Sequence, residues 1–137
     1  MRLKEISVWI AVVLLGLFFL VEGSLKIFGW NAQMMETQLE YLRGYGLGRD
    51  AYFVIGLIEL LGAVTIWWHK RHWIAGFGAA CMLIPSIGAI IMHNVHDSFQ
   101  ESIAAIIAAA LSLIVLRSNW GLLKAGLLAS PRPATDD

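Results

Sequence analysis

The stretch "WIAGFGAACMLIPSIGAIIM", residues 73–92, contains 20 residues and no charged side chain. A helix of that length rises about 30 Å, which matches the hydrocarbon core of a bilayer. The rest of the chain is similarly apolar, since 58% of its 137 residues are hydrophobic and only 15% are charged. This composition lies outside the usual range of soluble domains. The sequence therefore predicts an integral membrane protein.

Three further apolar runs, residues 6–21, 52–68 and 102–116, surround this stretch. Aromatic residues near their ends extend them into the headgroup zone, so we predict spans at about residues 6–28, 51–68, 73–94 and 99–117. Short links force antiparallel neighbours, which predicts an all-α transmembrane four-helix bundle with up-down-up-down topology. We expect residues 1–129 to form this single membrane domain and the polar tail "SPRPATDD", residues 130–137, to be disordered.

The longest connection, residues 29–50, joins the first two spans and has a helical pattern of its own. Apolar residues recur at i, i+4 and i+7, and charged residues take the opposite face. The apolar set is Met35, Leu39 and Leu42, and the charged set is Glu36, Glu40 and Arg43. We expect a short amphipathic interfacial helix that lies along the membrane surface. Such a helix can act as a lid over the bundle.

The distribution of basic residues predicts the orientation of the chain. With a cytoplasmic N-terminus, seven Lys and Arg residues fall on the inner side and three on the outer side, in agreement with the positive-inside rule. We therefore expect a multi-pass protein of the inner (plasma) membrane with both termini in the cytoplasm. Arg2 and Lys4 precede the first run in a pattern that signal peptides share, but we expect this run to be retained as a span.

Glu59 is the clearest candidate for function, because it lies within the second span with apolar residues on both sides. A charged group at that depth costs about 3 kcal/mol or more, and a functional role is its default interpretation. Tyr52, Gly56 and Ala63 share its helix face, and the two small residues allow another helix to approach. The alternative is that Glu59 only orders helix packing through hydrogen bonds.

Glu22 and Lys26 lie one helical turn apart at the end of the first span, in the favourable order for an ion pair. Glu22 still lies within the outer hydrocarbon layer, whereas the longer Lys26 side chain is expected to reach the membrane surface. Structural pairing and membership of a site are equal alternatives for this pair. Because Glu59 lies deeper, we do not expect it to pair directly with Lys26.

The third span ends in "IIMHNVHDSFQES", residues 90–102, in which His93 and His96 share a helix face with Ser86. Histidines near carboxylates can relay protons or bind a metal. However, H-x-x-H spacing is common, and interfacial histidines are often simply amphipathic, so we assign no metal ligands. His69 and His72, in the basic turn after the second span, are interpreted as ordinary loop residues.

Together these residues predict a polar pocket in the outer half of the bundle, with the interfacial helix as its roof. The candidate catalytic, proton-exchanging residues are Glu59, Glu22 and His93, and the candidate ligand-binding residues are Lys26, Tyr52, Ser86 and His96. A single cysteine, Cys81, excludes thiol–disulfide exchange by a cysteine pair within the chain. The sequence shows neither a glycine-rich phosphate loop nor a nucleic-acid-binding surface, so we expect no nucleic-acid partner.

Three segments resemble those of DoxX-like membrane proteins. The run "FFLVEGSLKIFG" (residues 18–29) is similar to the family's first helix and "GLIELLGAVTIW" (56–67) to its second, with Glu59 at the acidic position. "MLIPSIGAIIMHNV" (82–95) is similar to the third helix, which a histidine often closes. The resemblance extends over roughly residues 6–116 and implies a four-helix membrane bundle. It also implies a link to redox systems of the membrane, such as thiosulfate:quinone oxidoreductase and radical-detoxifying complexes, or to assembly factors.

Two functions remain open from the sequence. In the first, the chain is a redox-associated accessory or quinone-interacting subunit. A quinone headgroup would enter the outer half of the bundle, and Glu59, Glu22 or His93 would exchange its protons. No covalently bound cofactor is expected, and quinone is the candidate ligand. Electrons would then come from a partner or from the substrate.

In the second, the chain is a non-enzymatic structural or assembly subunit that packs against another membrane protein. Faces of small residues suit such close helix contacts. They include Gly76 with Ala79 and Ala80, and the run "IAAIIAAAL" of the fourth span. Both hypotheses place the chain in a lipid bilayer, and the sequence does not decide whether it is an enzyme.

Overall fold

Five α-helices make up most of residues 2–129, the part of the chain that this computed structural model describes. They are α1 (Leu3–Phe28), α2 (Ala32–Gly44), α3 (Arg49–Thr65), α4 (Ile74–His96) and α5 (Phe99–Leu128), and a 3₁₀ turn, Ile66–Trp68, continues α3. The predicted all-helical class is confirmed for these residues. The tail that we expect to be disordered, residues 130–137, lies outside the described residues.

Four of these elements are long and apolar enough to cross a membrane: α1, α3 with its 3₁₀ turn, α4 and α5. Large apolar side chains such as Leu14, Leu57 and Ile84 face outward from the middle of the helices. In a bilayer these surfaces are removed from water, which is strongly favourable. The chain is therefore a multi-pass membrane protein whose outer surface contacts lipid.

The fourth predicted span is shorter than the observed helix. We placed its end at residue 117, whereas α5 continues to Leu128. Arg117 and Lys124 interrupt the apolar run, but both residue types favour helix formation, so the helix extends beyond the apolar segment. Its last turns pack on the start of α4, where Gly126 leaves room for the Trp73 ring.

Glycines bring α3 into close contact with two neighbouring helices. A Cβ atom at Gly23 of α1 would lie 2.8 Å from the backbone nitrogen of Leu60, and one at Gly56 of α3 would lie 2.6 Å from Cβ of Lys26. Both distances are well below van der Waals contact between carbon-sized atoms, so a larger residue would push α1 and α3 apart. Gly62 allows a similar approach between α3 and α4.

A helix is present where the sequence predicts one between the first two spans. The side-chain oxygen of Asn31 accepts a hydrogen bond from the Met34 amide at 3.1 Å and caps its N-terminus. Leu39 is buried, while Glu36 and Arg43 pair on the exposed face at 2.6 Å. The apolar and charged faces of α2 therefore differ in burial as expected. Its position along a membrane surface stays a prediction.

The bundle has two ends of different construction. The turn end contains the connection between α3 and α4, residues 66–73, with the start of α1 and the C-terminal part of α5. The cavity end contains α2, the end of α1, the start of α3 and the connection between α4 and α5. The apolar core between them comprises Val8, Ala11, Val12, Leu15, Phe19, Ala63, Ile66, Ala79, Met82, Ala108 and Val115.

Candidate functional site

Three charged side chains meet between α1 and α3, and we call them the charge cluster. Nζ of Lys26 lies 3.0 Å from Oε2 of Glu22 and 2.8 Å from Oε2 of Glu59. The side chains of Lys26 and Glu59 are only 9% and 7% exposed, and that of Glu22 is 20% exposed. Two carboxylates thus share one ammonium group. The fully ionised cluster carries one net negative charge inside an apolar bundle.

The expectation that Lys26 does not pair directly with Glu59 is wrong, and the Lys26 side chain is buried between the two helices. Gly23 and Gly56 bring α1 and α3 so close that the Lys26 side chain packs directly against the α3 backbone. Its ammonium group then lies between the two carboxylates. This arrangement is favourable because an unpaired buried charge costs far more than a paired one.

Oxygen Oε2 of Glu59 has capacity for a further hydrogen bond. It is buried and lies 2.8 Å from Nζ of Lys26, in an orientation that departs from ideal hydrogen-bond geometry. A carboxylate oxygen has two lone pairs and can accept more than one hydrogen bond. A ligand hydroxyl group can therefore donate to this oxygen beside Lys26.

Gln38 connects α2 to the charge cluster. Its amide nitrogen donates to Oε2 of Glu22 at 2.9 Å, and its amide oxygen accepts from the Tyr52 hydroxyl at 3.0 Å. Nζ of Lys26 also lies 5.8 Å from the centre of the Tyr52 ring, within cation–π range. Gln38 is not predictable from the sequence, because a single glutamine on an amphipathic helix carries no recognisable signal.

A cavity of about 500 Å³ adjoins the charge cluster at the cavity end. Its polar wall contains Glu22, Lys26, Gln38, Glu59, Ser86, His93 and Glu101, and its apolar wall includes Phe18, Phe19, Ile55, Ile84, Met92, Ala104, Ala105 and Ala108. Tyr41, Leu42 and Tyr45, from α2 and the residue that follows it, line another side. All five α-helices or their caps therefore contribute to the cavity wall.

The structure places most of the predicted site residues together. Glu22, Lys26, Glu59, Ser86 and His93 line the cavity. Tyr52 is buried and reaches this group through Gln38, whereas His96 lies apart from the cavity wall and packs against Tyr45, with ring centroids 5.1 Å apart. Their functional roles stay predictions.

A second group of polar side chains joins α2 to α4, and we call it the latch: Tyr45, His93 and Asp97. The Tyr45 hydroxyl donates to Oδ2 of Asp97 and lies 3.0 Å from Nδ1 of His93, and this Nδ1 lies 2.8 Å from Oδ2 of Asp97. Because an ionised carboxylate only accepts hydrogen bonds, Nδ1 of His93 carries a proton in this arrangement. Tyr45 was not among the predicted site residues, because it lies in a loop between two glycines.

The latch shifts the ionisation of two of its members. The hydrogen bonds from Tyr45 and His93 lower the pKa of the Asp97 carboxyl below its ordinary value, although partial desolvation acts in the other direction. Desolvation and the hydrogen bond to Asp97 raise the pKa of the Tyr45 hydroxyl. At neutral pH the latch therefore contains an ionised Asp97 and a neutral Tyr45.

His69, which we interpreted as an ordinary loop residue, is in fact fully buried at the turn end. Its Nδ1 lies 2.7 Å from the side-chain nitrogen of Asn119, and its ring packs edge-on against Trp9 with centroids 5.0 Å apart. The side-chain oxygen of Asn119 accepts from the backbone amide of Lys70 at 3.0 Å. Burial and the charge of Lys70 lower the pKa of His69. His72 is exposed as expected.

The small-residue face of α4 that we expected to receive a partner is used within the bundle. Gly76 and Ala79 are buried, and a Cβ atom at Gly76 would lie 3.0 Å from Cβ of Leu123 on α5. By contrast, a Cβ atom at Gly121 of α5 would meet nothing within 4 Å among the described residues.

Comparison with curated proteins and with solved structures gives no match. The sequence pattern of the DoxX-like family matches residues 10–115. This range includes the charge cluster, the latch and Gln38. Since the match covers well over half of the chain, the protein belongs to the DoxX-like family.

Proposed function

We propose that the chain is a quinone-interacting subunit of a redox system in the plasma membrane, and that the cavity binds the quinone headgroup. This proposal rests on the position of the buried charge cluster on the wall of an otherwise largely apolar cavity. Ligand sites typically combine an apolar lining with a few polar groups that fix orientation. A headgroup with two oxygen atoms and an apolar ring matches such a wall.

The size and position of the cavity support a lipid-soluble ligand. Its volume of about 500 Å³ lies within the range of small-molecule sites. Phe18 and Ile84 contribute to its wall although they are 44% and 66% exposed on the outer surface of membrane-spanning helices. A wall that includes lipid-facing side chains favours access from the bilayer, which is where quinones are dissolved.

The charge cluster supplies hydrogen-bonding groups for both the quinone and the quinol. We assign Lys26 as the donor to a quinone carbonyl oxygen, and Oε2 of Glu59 as the acceptor from a quinol hydroxyl. Reduction of a quinone consumes two electrons and two protons. In this proposal the electrons come from a redox partner or substrate, and Glu59, Glu22 and His93 supply and recover the protons. Ser86 contributes to the wall, and Tyr52 acts through Gln38.

The proposed placement in the membrane follows the basic residues. We assign both termini to the cytoplasm, four spans that alternate in direction, and the cavity end to the outer side of the membrane. In this orientation α2 lies along the outer surface. Its exposed Glu36 and Arg43 would then face water while Leu39 faces the bundle.

A second candidate function is that of a structural or assembly subunit, which one observation favours. α5 is the least buried of the spans: 22% of its most apolar 18-residue segment is buried inside the bundle, compared with 33–39% for the corresponding segments of the others. The open surface at Gly121 would allow another helix to approach closely. This function does not require an occupied cavity.

Mass spectrometry of the natively extracted protein tests the proposal against this alternative. We expect quinone to copurify with the wild-type chain and to be depleted in Glu59→Gln. Quinone should be retained in Glu5→Gln, which makes the same change at an exposed glutamate of the turn end. A stoichiometric protein partner with a quinone-free chain would instead favour the structural function, and equal quinone content in all three proteins would contradict the role of Glu59.

A further inference from the structure

A second, smaller cavity lies beside the first, next to the C-terminal half of α2, and we call it the vestibule. It has a volume of about 380 Å³ and is lined by Thr37, Glu40, Tyr41, Gly44, Tyr45, His96 and Asp97. Tyr41 and Tyr45 belong to the walls of both the vestibule and the larger cavity. These two aromatic side chains therefore separate the two spaces.

The latch fixes the Tyr45 ring in this partition. Asp97, which accepts the hydrogen bond from the Tyr45 hydroxyl, lines the vestibule, and His93, the other member of the latch, lines the larger cavity. The Tyr41 ring packs edge-on against His93 with centroids 5.6 Å apart. One hydroxyl group thus ties the partition to residues on both of its sides.

The Tyr45 ring can move by rotation about its side-chain bonds, while its backbone is held at the C-terminal end of α2. The Tyr45 amide donates to the carbonyl oxygen of Tyr41 at 3.1 Å, so the backbone of Tyr45 is fixed by the same helical pattern as that of Tyr41. Tyr45 is flanked by Gly44 and by Gly46, which has a positive φ of 79°. A Cβ atom at either glycine would meet nothing within 4 Å among residues 2–129, so neither neighbour confines the ring.

The charges around the vestibule are predominantly negative. Its wall carries Glu40 and Asp97, and the lowered pKa of Asp97 keeps that carboxyl ionised at neutral pH. The ring of His96 is the basic group of the wall. On the cavity side, Glu101 and the charge cluster add further negative charge. A space lined by charges of one sign concentrates counter-ions and repels ions of the same sign.

We propose that Tyr45 is a gate between the vestibule and the larger cavity, and that it admits water, protons and small cations but not anions. This inference rests on the proposed function, because it supplies the route by which protons used at the quinone exchange with water. It also specifies the second reactant of the site: a lipid-soluble ligand reaches the cavity from the bilayer, and a water-soluble reactant that uses the gate is a proton or a cation.

The gate can be tested with one reporter cysteine and no quinone. The background is Cys81→Ser, which removes the buried native thiol, and the reporter is Ser86→Cys on the cavity wall. The protein is placed in lipid nanodiscs, so that both membrane faces are accessible. The rate of labelling is measured with two membrane-impermeant methanethiosulfonates, one bearing a trimethylammonium group and the other a sulfonate group.

We expect slow labelling in the reporter protein and a rate about tenfold higher when Tyr45→Phe is added, which is the factor expected for loss of one hydrogen bond to a charged group. Tyr41→Phe is the matched control, because it keeps the second ring of the partition and leaves the latch hydroxyl in place. Asp97→Asn weakens the same latch from α4 and provides a second test if Tyr45→Phe does not fold. Equal rates in Tyr45→Phe, Asp97→Asn and Tyr41→Phe would overturn the gate.

The charge preference has its own control. In the Tyr45→Phe reporter the cationic reagent should react several-fold faster than the anionic one. Glu40→Gln should reduce this ratio, whereas Glu36→Gln, on the exposed face of the same helix, should not. An anionic reagent that reacts as fast as the cationic one would overturn the selectivity. Because the labelling experiment uses no quinone, it can disprove the gate while quinone binding is retained. It can also support the gate while quinone binding is absent.

Discussion

The two ends of the helical bundle both bury polar side chains, but they satisfy them in different ways. At the cavity end, Lys26 is shared between Glu22 and Glu59, and Oε2 of Glu59 keeps capacity for another donor. At the turn end, Nδ1 of His69 pairs with Asn119, whose side-chain oxygen accepts from the backbone amide of Lys70, while Nε2 of His69 is buried without a hydrogen-bond partner among residues 2–129. The first arrangement adjoins a cavity and the second is packed within the bundle.

The difference shows how a polar group in a membrane helix can be assigned to structure or to ligand binding. A neutral cluster whose hydrogen bonds join two segments of the chain stabilises the fold. A charged cluster with an excess carboxylate on a cavity wall favours the binding of a proton or a ligand, because the charges within the cluster do not cancel. Variants at the two ends test this contrast.

The largest effect is expected from Lys26→Met at the cavity end. The change leaves two buried carboxylates without their shared cation, and breaking a buried pair in this way costs about 3–5 kcal/mol. Thermal unfolding in detergent would measure the loss. Lys124→Met is the matched control because Lys124 is exposed on α5. Equal unfolding temperatures for the two variants would show that the charge cluster does not stabilise the α1–α3 contact.

The turn end should respond to Asn119→Ala. This change removes the partner of His69 Nδ1 and the acceptor for the Lys70 amide, and unsatisfied buried groups cost about 1–3 kcal/mol each. Unfolding temperature again measures the effect, and quinone content should stay unchanged. Asn94→Ala serves as control, since its side chain is exposed and bonds only to its own helix at the Ile90 carbonyl. Loss of quinone in Asn119→Ala would contradict the separation of the two ends.

A smaller effect is expected when α2 is released from the charge cluster by Gln38→Ala. The amide of Gln38 donates to Glu22, and a hydrogen bond to a charged group contributes about 1.5–3 kcal/mol, less where water can replace it. Hydrogen exchange of the α2 amides would report the loosening. Gln33→Ala, an exposed position on the same helix, gives the same gain in helix propensity. Equal exchange in both variants would show that Gln38 does not hold α2.

The smallest effect is a pH dependence at the turn end. The pKa of His69 is lower in the fold than in the unfolded chain, so the unfolded chain binds a proton first on acidification. Stability is therefore complete above the unfolded value of about 6.5 and declines as the pH falls through the folded value, by up to about 1.4 kcal/mol for each unit of difference. Unfolding temperatures between neutral and mildly acidic pH would show the decline.

His72→Gln should keep this pH dependence, because His72 is exposed on the same connection. His69→Gln should remove it, whatever its effect on stability at neutral pH. Persistence of the decline in His69→Gln would assign it to another group.

Much of the fold follows from hydropathy, because a bilayer admits few alternatives to apolar helices of spanning length. The lengths of the largely apolar segments locate the four spans, and the period of Met35, Leu39 and Leu42 locates α2. The end of α5 was missed at Leu128 because charges limit an apolar run without ending a helix.

The charged members of the candidate site were found because charge within a span is costly and therefore informative. Their partners were not found in the same way. The direct contact of Lys26 with Glu59 depends on the close approach at Gly23 and Gly56, which is a property of two packed helices and not of either sequence segment. Gln38 and Tyr45 are uncharged and lie outside the spans, so only the folded position of α2 reveals them.

Equilibrium binding of a short-chain quinol to the purified protein in nanodiscs tests most directly whether the cavity binds quinol through Glu59. We predict saturable binding to the wild-type chain and about tenfold weaker binding to Glu59→Gln, as expected for loss of one charge-assisted hydrogen bond. Binding to the control Glu5→Gln should be unchanged. An identical dissociation constant for all three proteins, or no saturable binding to the wild-type chain, would contradict this prediction.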